Sequence, residues 1–298
     1  MDVLDTSVII GMKRKDILAV AKRRVVAVSP FTVWELLCHL DEVRNDETPD
    51  QAFRRRKGTV VVLQSLEMLH DPFAQHAAAV GEAQLANPTR FEDREGARQI
   101  VNCVVGAKSL AALRREVLTR PDGAKVRFGD IAVRARQALE QEELRYIENA
   151  RKMWERVVSL SGLTNPSKLT DEHLWQWLSA MLAALRGSYE QDGVATEALL
   201  LNVCESMYPY FGYLFARLRT YRPDKKGVLA IQPNDTEDGY LCMHIRLFED
   251  DVLVTGDGPT KRALQSALAL WNTRVPHLPA KCRVMSKEQY AKAFVPAS

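Results

Sequence analysis

The chain of 298 residues is 46% hydrophobic, so it has enough apolar material for one large domain or two ordinary ones. Its formal net charge is only +3, which is mildly basic and does not by itself identify a binding partner. It contains no run of about 18 apolar residues, and its five cysteines are scattered and odd in number. We therefore expect no membrane span, no disulfide and no zinc site.

Short apolar runs alternate with helical patterns over about the first 70 residues. Residues 3–4 predict a buried strand with no signal peptide before it, so we expect a cytoplasmic protein. Residues 25–28 predict a second strand. Ser29 and Pro30 then predict the start of a helix, with serine as its N-cap. Residues 50–69 predict a further helix.

Only helical patterns occur from about residue 82 to residue 221. The candidate helices cover residues 93–118, 130–159, 171–189 and 194–221. We therefore predict an all-helical insertion over residues 81–221.

The alternation of strands and helices returns after residue 221. The predicted elements are a helix over 235–248, a strand over 252–254, a helix over 259–271 and a strand over 283–285. Because strands separated by helices favour a parallel sheet, we predict an α/β fold with a Rossmann-like sheet and helices on both faces. This domain is discontinuous and comprises residues 1–80 and 222–298.

Acidic residues occupy corresponding positions in these units. Asp5 and Asp257 directly follow strands, Glu35 lies in the helix after the second strand, and Asp238 lies in the first turn of its helix. The carboxyl ends of parallel strands meet at one edge of a sheet, so we expect these four carboxylates to share a crevice. Clustered carboxylates repel one another unless a cation lies between them, which predicts one or two Mg²⁺ or Mn²⁺ ions. Asp235 is either a helix N-cap or a further ligand.

Other interpretations of these residues remain open. Asp5 could cap the following turn, and Asp257 could be a turn residue before a Gly-Pro pair. The neighbouring hydroxyls could orient a carboxylate or metal-bound water, or they could merely cap helices. These hydroxyls belong to Thr6, Ser7 and Thr255.

Basic clusters lie within the first 60 residues. They are candidate contacts for the phosphates of a nucleic acid, although such runs are more often solvated faces. The candidate residues are Lys13, Arg14, Arg54, Arg55, Arg56 and Lys57.

Four segments in this order resemble the PIN-domain nucleases, a family of metal-dependent ribonucleases that includes the VapC toxins. The segments are residues 3–7, 33–37, 238–244 and 253–257. The closing residues 283–290 also resemble the last strand and helix of that family. The resemblance covers residues 1–80 and 222–298, and the long insertion departs from it.

The resemblance implies a PIN-like fold and a Mg²⁺- or Mn²⁺-dependent nuclease, with RNA a better substrate than DNA and endonucleolytic cleavage. A flap-type DNA nuclease is a weaker interpretation, because such enzymes usually need more acids. The alternative is a PIN-like module with little catalysis, which acts as a nucleic-acid-binding or protein-assembly scaffold through its insertion. The resemblance also leaves open a regulatory or antitoxin-like partner and a homodimer.

Overall fold

A computed structural model describes residues 1–44, 46–70, 94–120, 123–177, 196–225, 228–231 and 235–296. The strands in these residues are β1 (Asp2–Leu4), β2 (Val26–Val28), β3 (Glu67–Met68), β4 (Val117–Thr119), β5 (Lys125–Arg127), β6 (Val252–Thr255) and β7 (Arg283–Ser286). The helices are α1 (Thr6–Gly11), α2 (Arg14–Ala21), α3 (Pro30–Cys38), α4 (Pro49–Val60), α5 (Arg94–Gly106), α6 (Leu110–Arg115), α7 (Phe128–Ser161), α8 (Thr196–Leu218), α9 (Asp235–Cys242), α10 (Gly258–Arg274) and α11 (Lys287–Phe294).

A five-stranded parallel sheet forms the centre, in the order β3-β2-β1-β6-β7. The chain runs outward from β1 through β2 to β3 and later returns to add β6 and β7 on the other side. The strand order therefore reverses between β1 and β6, and such a reversal opens a crevice at the carboxyl ends of the two strands. The predicted α/β class and parallel sheet are confirmed.

Helices α1, α3, α10 and α11 begin close to the carboxyl ends of β1, β2, β6 and β7. The Ser29 hydroxyl accepts a hydrogen bond from the Phe31 backbone N–H at 3.3 Å and caps α3, as predicted. Ser286 forms a capping box with Gln289 at the start of α11. The positive ends of several helix dipoles thus point toward the same edge of the sheet.

Side chains on the two faces of the sheet enter two hydrophobic cores. Leu4, Val28 and Val254 pack in one core, while Val3 and Leu253 pack in the other. This alternation follows from the period of two residues along a strand. Helices cover both faces, so the central strands β2, β1 and β6 are mostly apolar.

The described helices between residues 94 and 218 contribute to these same two cores. Ile100 of α5 and Phe128 of α7 pack with Leu4, whereas Tyr213 of α8 packs with Val3. The division into a discontinuous domain and an insertion domain stays a prediction, since residues 71–93 lie outside the described residues.

Three secondary-structure predictions need correction. The region predicted as all-helical contains an antiparallel hairpin of β4 and β5, where β-branched Val117 and Thr119 end the helical pattern and Gly123 adopts φ 81°. The helix predicted over 50–69 ends at Val60, followed by a 3₁₀ turn and the short β3. The helix predicted over 235–248 ends at Cys242.

Two further observations concern the helices. Residues 171–177 of the helix predicted over 171–189 are helical, and the rest of that prediction lies outside the described residues. No helix within the described residues carries an apolar stretch of membrane-spanning length.

Candidate functional site

Asp5 lies at the carboxyl end of β1, beside the point where the strand order reverses. Its Oδ2 atom accepts hydrogen bonds from the Ser7 hydroxyl at 2.5 Å and from the Thr255 hydroxyl at 2.8 Å. Asp5 occupies the N-cap position of α1, but its side chain makes no capping hydrogen bond to that helix. Asp5 is only 7% exposed, and these two donors satisfy an otherwise costly buried carboxylate.

The two hydroxyl groups that hold Asp5 are themselves held by the backbone after β6. Ser7 Oγ accepts from the Gly256 N–H at 2.8 Å, and Thr255 Oγ1 accepts from the Asp257 N–H at 2.9 Å. A Cβ atom on Gly256 would lie 2.8 Å from Ser7 Oγ, so a larger residue would disturb this arrangement. Two chains of hydrogen bonds therefore end on Asp5 Oδ2, and each runs from a backbone N–H through a side-chain hydroxyl.

Thr260 connects two of the other predicted acids. Its backbone N–H donates to Asp257 Oδ2 at 2.7 Å, which makes Asp257 the N-cap of α10. Its hydroxyl donates to Asp238 Oδ2 in α9. Asp257 thus caps a helix and also lines the crevice, and its role as a metal ligand stays a prediction. Thr260 itself is 1% exposed.

A cavity of about 900 Å³ opens at this edge of the sheet. It brings together all four acids that the sequence singled out, and it adds five more from α7, α9 and the segment after α3. Its carboxyl groups belong to Asp5, Glu35, Asp41, Glu42, Glu140, Glu143, Glu237, Asp238 and Asp257. Arg136 and His39 are the basic side chains in this lining.

Burial and mutual repulsion oppose ionisation of several of these carboxyl groups. Burial, with smaller contributions from the charges of Asp5 and Asp257, raises the pKa of Asp238 to about 8 against the opposing hydrogen bond from Thr260. Burial likewise raises the pKa of Glu237 to about 7, with smaller contributions from Glu35 and Asp5.

Glu35 lies in α3, the helix that follows β2, and β2 is the neighbour of β1, which directly precedes Asp5. Burial and nearby negative charge oppose its ionisation as well. Burial raises its pKa above the ordinary value, the neighbouring Thr6 hydroxyl opposes this shift, and the charge of Asp5 adds to it. Carboxyl groups with raised pKa values in a cavity are typical of functional sites.

Asp235 lies apart from the cavity lining, although it was predicted as an N-cap or a ligand. It is 4% exposed, and its Oδ1 atom accepts from Arg217 Nη2 at 2.5 Å. Its Oδ2 atom accepts from the Tyr221 hydroxyl. Both oxygens are therefore committed to a buried network that contacts α8, and not to the cavity.

The predicted basic clusters differ from one another in the structure. Lys13 and Arg14 are exposed, as is Arg54, whose Nε donates to the Asp50 carbonyl at 3.4 Å. The other three cations are engaged within the chain. Arg55 binds Glu47 at 2.8 Å, Arg56 binds Glu42 at 2.9 Å, and Lys57 donates to the Ala107 carbonyl at 2.7 Å.

The residues that the sequence did not single out come mainly from α7. Glu140 and Glu143 lie in a long helix with mixed charges, and no local pattern distinguishes them from solvated residues. Glu237 had a usable signal, since it neighbours Asp238 in the first turn of the same helix.

The carboxyl groups line one cavity, but they are not arranged as the ligands of a metal ion. Within the described part of the chain, no three His, Cys, Asp or Glu side chains converge closely enough to hold a metal ion as they stand. Comparisons of the chain with protein-family models, curated proteins and solved structures find no match.

Proposed function

We propose that this chain is a divalent-metal-dependent nuclease of the PIN type that cuts RNA endonucleolytically. One observation carries the proposal: Asp5, Glu35, Asp238 and Asp257 line one cavity at the carboxyl edge of a parallel sheet, where the strand order reverses. Three of these four come from separate βα units, so their meeting is a property of the fold and not of a local acidic run.

The residues present fit a hard divalent cation. Carboxylate oxygens are the ligands that Mg²⁺ and Mn²⁺ prefer. The raised pKa values of Asp238 and Glu237 reflect burial first and neighbouring carboxylates second, and a cation bound among the ionised groups would offset both effects. Asp5, Glu35, Asp238 and Asp257 would hold the ion, with Glu237 beside them.

The bound ion would lower the pKa of a water molecule and stabilise negative charge on the phosphate. The chain's own residues prepare the site for it. Ser7 and Thr255 fix the orientation of Asp5, and Thr260 fixes that of Asp238. Such hydrogen bonds to ligands typically determine ligand orientation. Glu237, with a pKa of about 7, can exchange a proton near neutral pH.

The PIN assignment rests on the order of the motifs and on the elements that carry them. Asp5 and Asp257 lie after the adjacent parallel strands β1 and β6, which supports the resemblance carried by residues 3–7 and 253–257. The long region between residues 81 and 221 departs from small PIN proteins. Its helix α7 supplies part of the cavity wall, so we propose that it restricts which substrates reach the acids.

A second candidate is a PIN-like binding or assembly module with little catalysis. It is favoured by the absence, among the described residues, of a group of three side chains placed to hold a metal. A flap-type DNA nuclease usually needs more than four acids, and α7 contributes additional acids to the cavity. Both questions are decided by the same assay.

The assay follows cleavage of end-labelled single-stranded RNA and DNA in Mn²⁺. We expect the parent to cut RNA faster than DNA and Asp5→Asn to lose at least about a hundredfold in rate, as removal of a metal ligand predicts. Asp46→Asn is the matched control, because Asp46 is exposed and lies outside the cavity lining. Equal rates for the parent and Asp5→Asn would refute the proposed site, and no metal-dependent cleavage would favour the binding module.

A further inference from the structure

The surroundings of the cavity are strongly asymmetric in charge. On the side of α7 and the end of α3, the lining carries Asp41, Glu42, Glu140 and Glu143. The arginine on this side, Arg136, donates through Nη2 to the Cys38 carbonyl at 2.8 Å. Asp41 pairs with Arg114 and Glu42 with Arg56, so the repulsion that a polyanion would meet across this wall comes mainly from Glu140 and Glu143.

Cations border the opposite side, near β6 and β7. Arg262 of α10 lies over Gly258, with its Nη1 atom 3.2 Å from a Cβ placed there, and Gly258 directly follows Asp257. Lys287 of α11 lies against Gly11, with Nζ 3.1 Å from a Cβ placed on that glycine. Gly11 in turn follows Ile10, which lines the cavity.

These cations come from separate elements but meet beside the same edge of the sheet. Arg262 is exposed, and the Lys287 side chain is 40% exposed. Lys13 and Arg14, both exposed, come two and three residues after Gly11. The contact of Lys287 with Glu288 is 3.8 Å long and solvent-exposed, so it contributes little.

We propose that Lys13, Arg14, Arg262 and Lys287 form a basic rim that binds the backbone phosphates of single-stranded RNA. The RNA enters the cavity from the side of β6 and β7. Its contacts end at the acidic wall formed by α7. This inference rests on the proposed nuclease function, and it adds the direction of approach and the residues that hold the strand.

Salt dependence provides a quantitative signature of such a rim. Each phosphate neutralised on a single strand contributes about 0.7 to the slope of log affinity against log salt concentration. Loss of two rim cations should therefore lower that slope by about 1.4. A purely structural role for the same residues would not change the slope.

The test compares two double variants in the Asp5→Asn background with Mg²⁺ present, using fluorescence anisotropy of an oligouridine of about 20 nucleotides. Arg262→Ala with Lys287→Ala removes two rim cations. Arg151→Ala with Lys152→Ala removes two exposed cations from α7, more than ten residues beyond Glu140. Glutamine replacements at the rim provide a second pair if the alanine variant does not fold.

We expect the rim variant to bind about tenfold more weakly at about 0.1 M salt, with the lower slope, and the control to match the parent. Equal effects of the two double variants, or an unchanged slope in the rim variant, would overturn the inference. The nuclease proposal is tested independently of the rim. If the parent does not cleave RNA but binding still depends on the rim, the rim stands and the catalytic assignment falls.

Discussion

Replacement of Asp238 by asparagine should stabilise the protein in the absence of metal. The Asp238 carboxyl group is largely buried, and burial together with Asp5 and Asp257 raises its pKa to about 8 from an ordinary value of 3.8. Asparagine has nearly the same shape and can still accept the hydrogen bond from Thr260 through its Oδ1 atom. The substitution therefore removes the charge conflict and keeps the main contact.

The size of the effect follows from proton linkage. Because the folded pKa exceeds the unfolded one, the folded state binds the extra proton between about pH 4 and pH 8. The free energy of unfolding of the metal-free parent therefore falls as the pH rises through this interval, by up to about 1.4 kcal/mol per unit. After allowance for partial exposure and for burial of the amide, we expect Asp238→Asn to gain about 1–3 kcal/mol at pH 8 and less at pH 5.

The assay is urea unfolding of the parent and Asp238→Asn at pH 5 and pH 8, with and without Mn²⁺. Bound Mn²⁺ should stabilise the parent more at pH 8 and should stabilise the variant little, because a ligand has been lost. Asp46→Asn again serves as the control, since it changes an exposed carboxylate. A metal-free Asp238→Asn protein that is less stable than the parent at pH 8, or one that keeps the full Mn²⁺ effect, would refute the reasoning.

Three further predictions concern one residue beside the site, Thr255, and two buried residues elsewhere in the fold, His244 and Arg217. Thr255→Val removes a donor to Asp5, and we expect about a tenfold or greater loss in cleavage rate with little change in KM; a rate equal to that of the parent in steady-state assays would contradict the role of this hydrogen bond. His244 is buried, and burial lowers its pKa to about 3. Protonation of the unfolded chain below about pH 6.5 should therefore lower the free energy of unfolding by up to about 1.4 kcal/mol per unit of acidification, and His244→Gln should flatten that slope in pH-dependent unfolding. An identical slope in both proteins would exclude this role. Arg217→Met leaves Asp235 buried without its cation and should cost about 3–5 kcal/mol in urea unfolding; a loss below about 1 kcal/mol would show that the pair does not matter.

The sequence could predict that these acids lie close together, because it shows where the strands end. An apolar run fixes where a buried strand stops, so the residue that follows it must lie at the edge of the sheet. Asp5 and Asp257 were placed in this way, and both line the cavity. Ser29 was likewise readable as the cap of α3, since capping chemistry is local.

The features that the sequence did not predict correctly depend on contacts with residues far away in the chain. The role of Asp235 depends on Arg217, which belongs to another helix, and the basic run at residues 54–57 is largely engaged by distant groups such as the Ala107 carbonyl. Glu143 reaches the cavity only through the packing of α7. Strand β3 has two residues and pairs only because β2 lies beside it, so no periodic signal marks it.

The central claim is that a divalent cation binds among the carboxyl groups at the carboxyl edge of the sheet. Its most direct test is anomalous scattering from crystals of the protein soaked in Mn²⁺. We predict a peak in the cavity within about 2.0–2.6 Å of a carboxylate oxygen of Asp5, with Asp238 or Asp257 as a further ligand. Crystals that bind Mn²⁺ elsewhere on the protein but show no peak in this cavity would contradict the account.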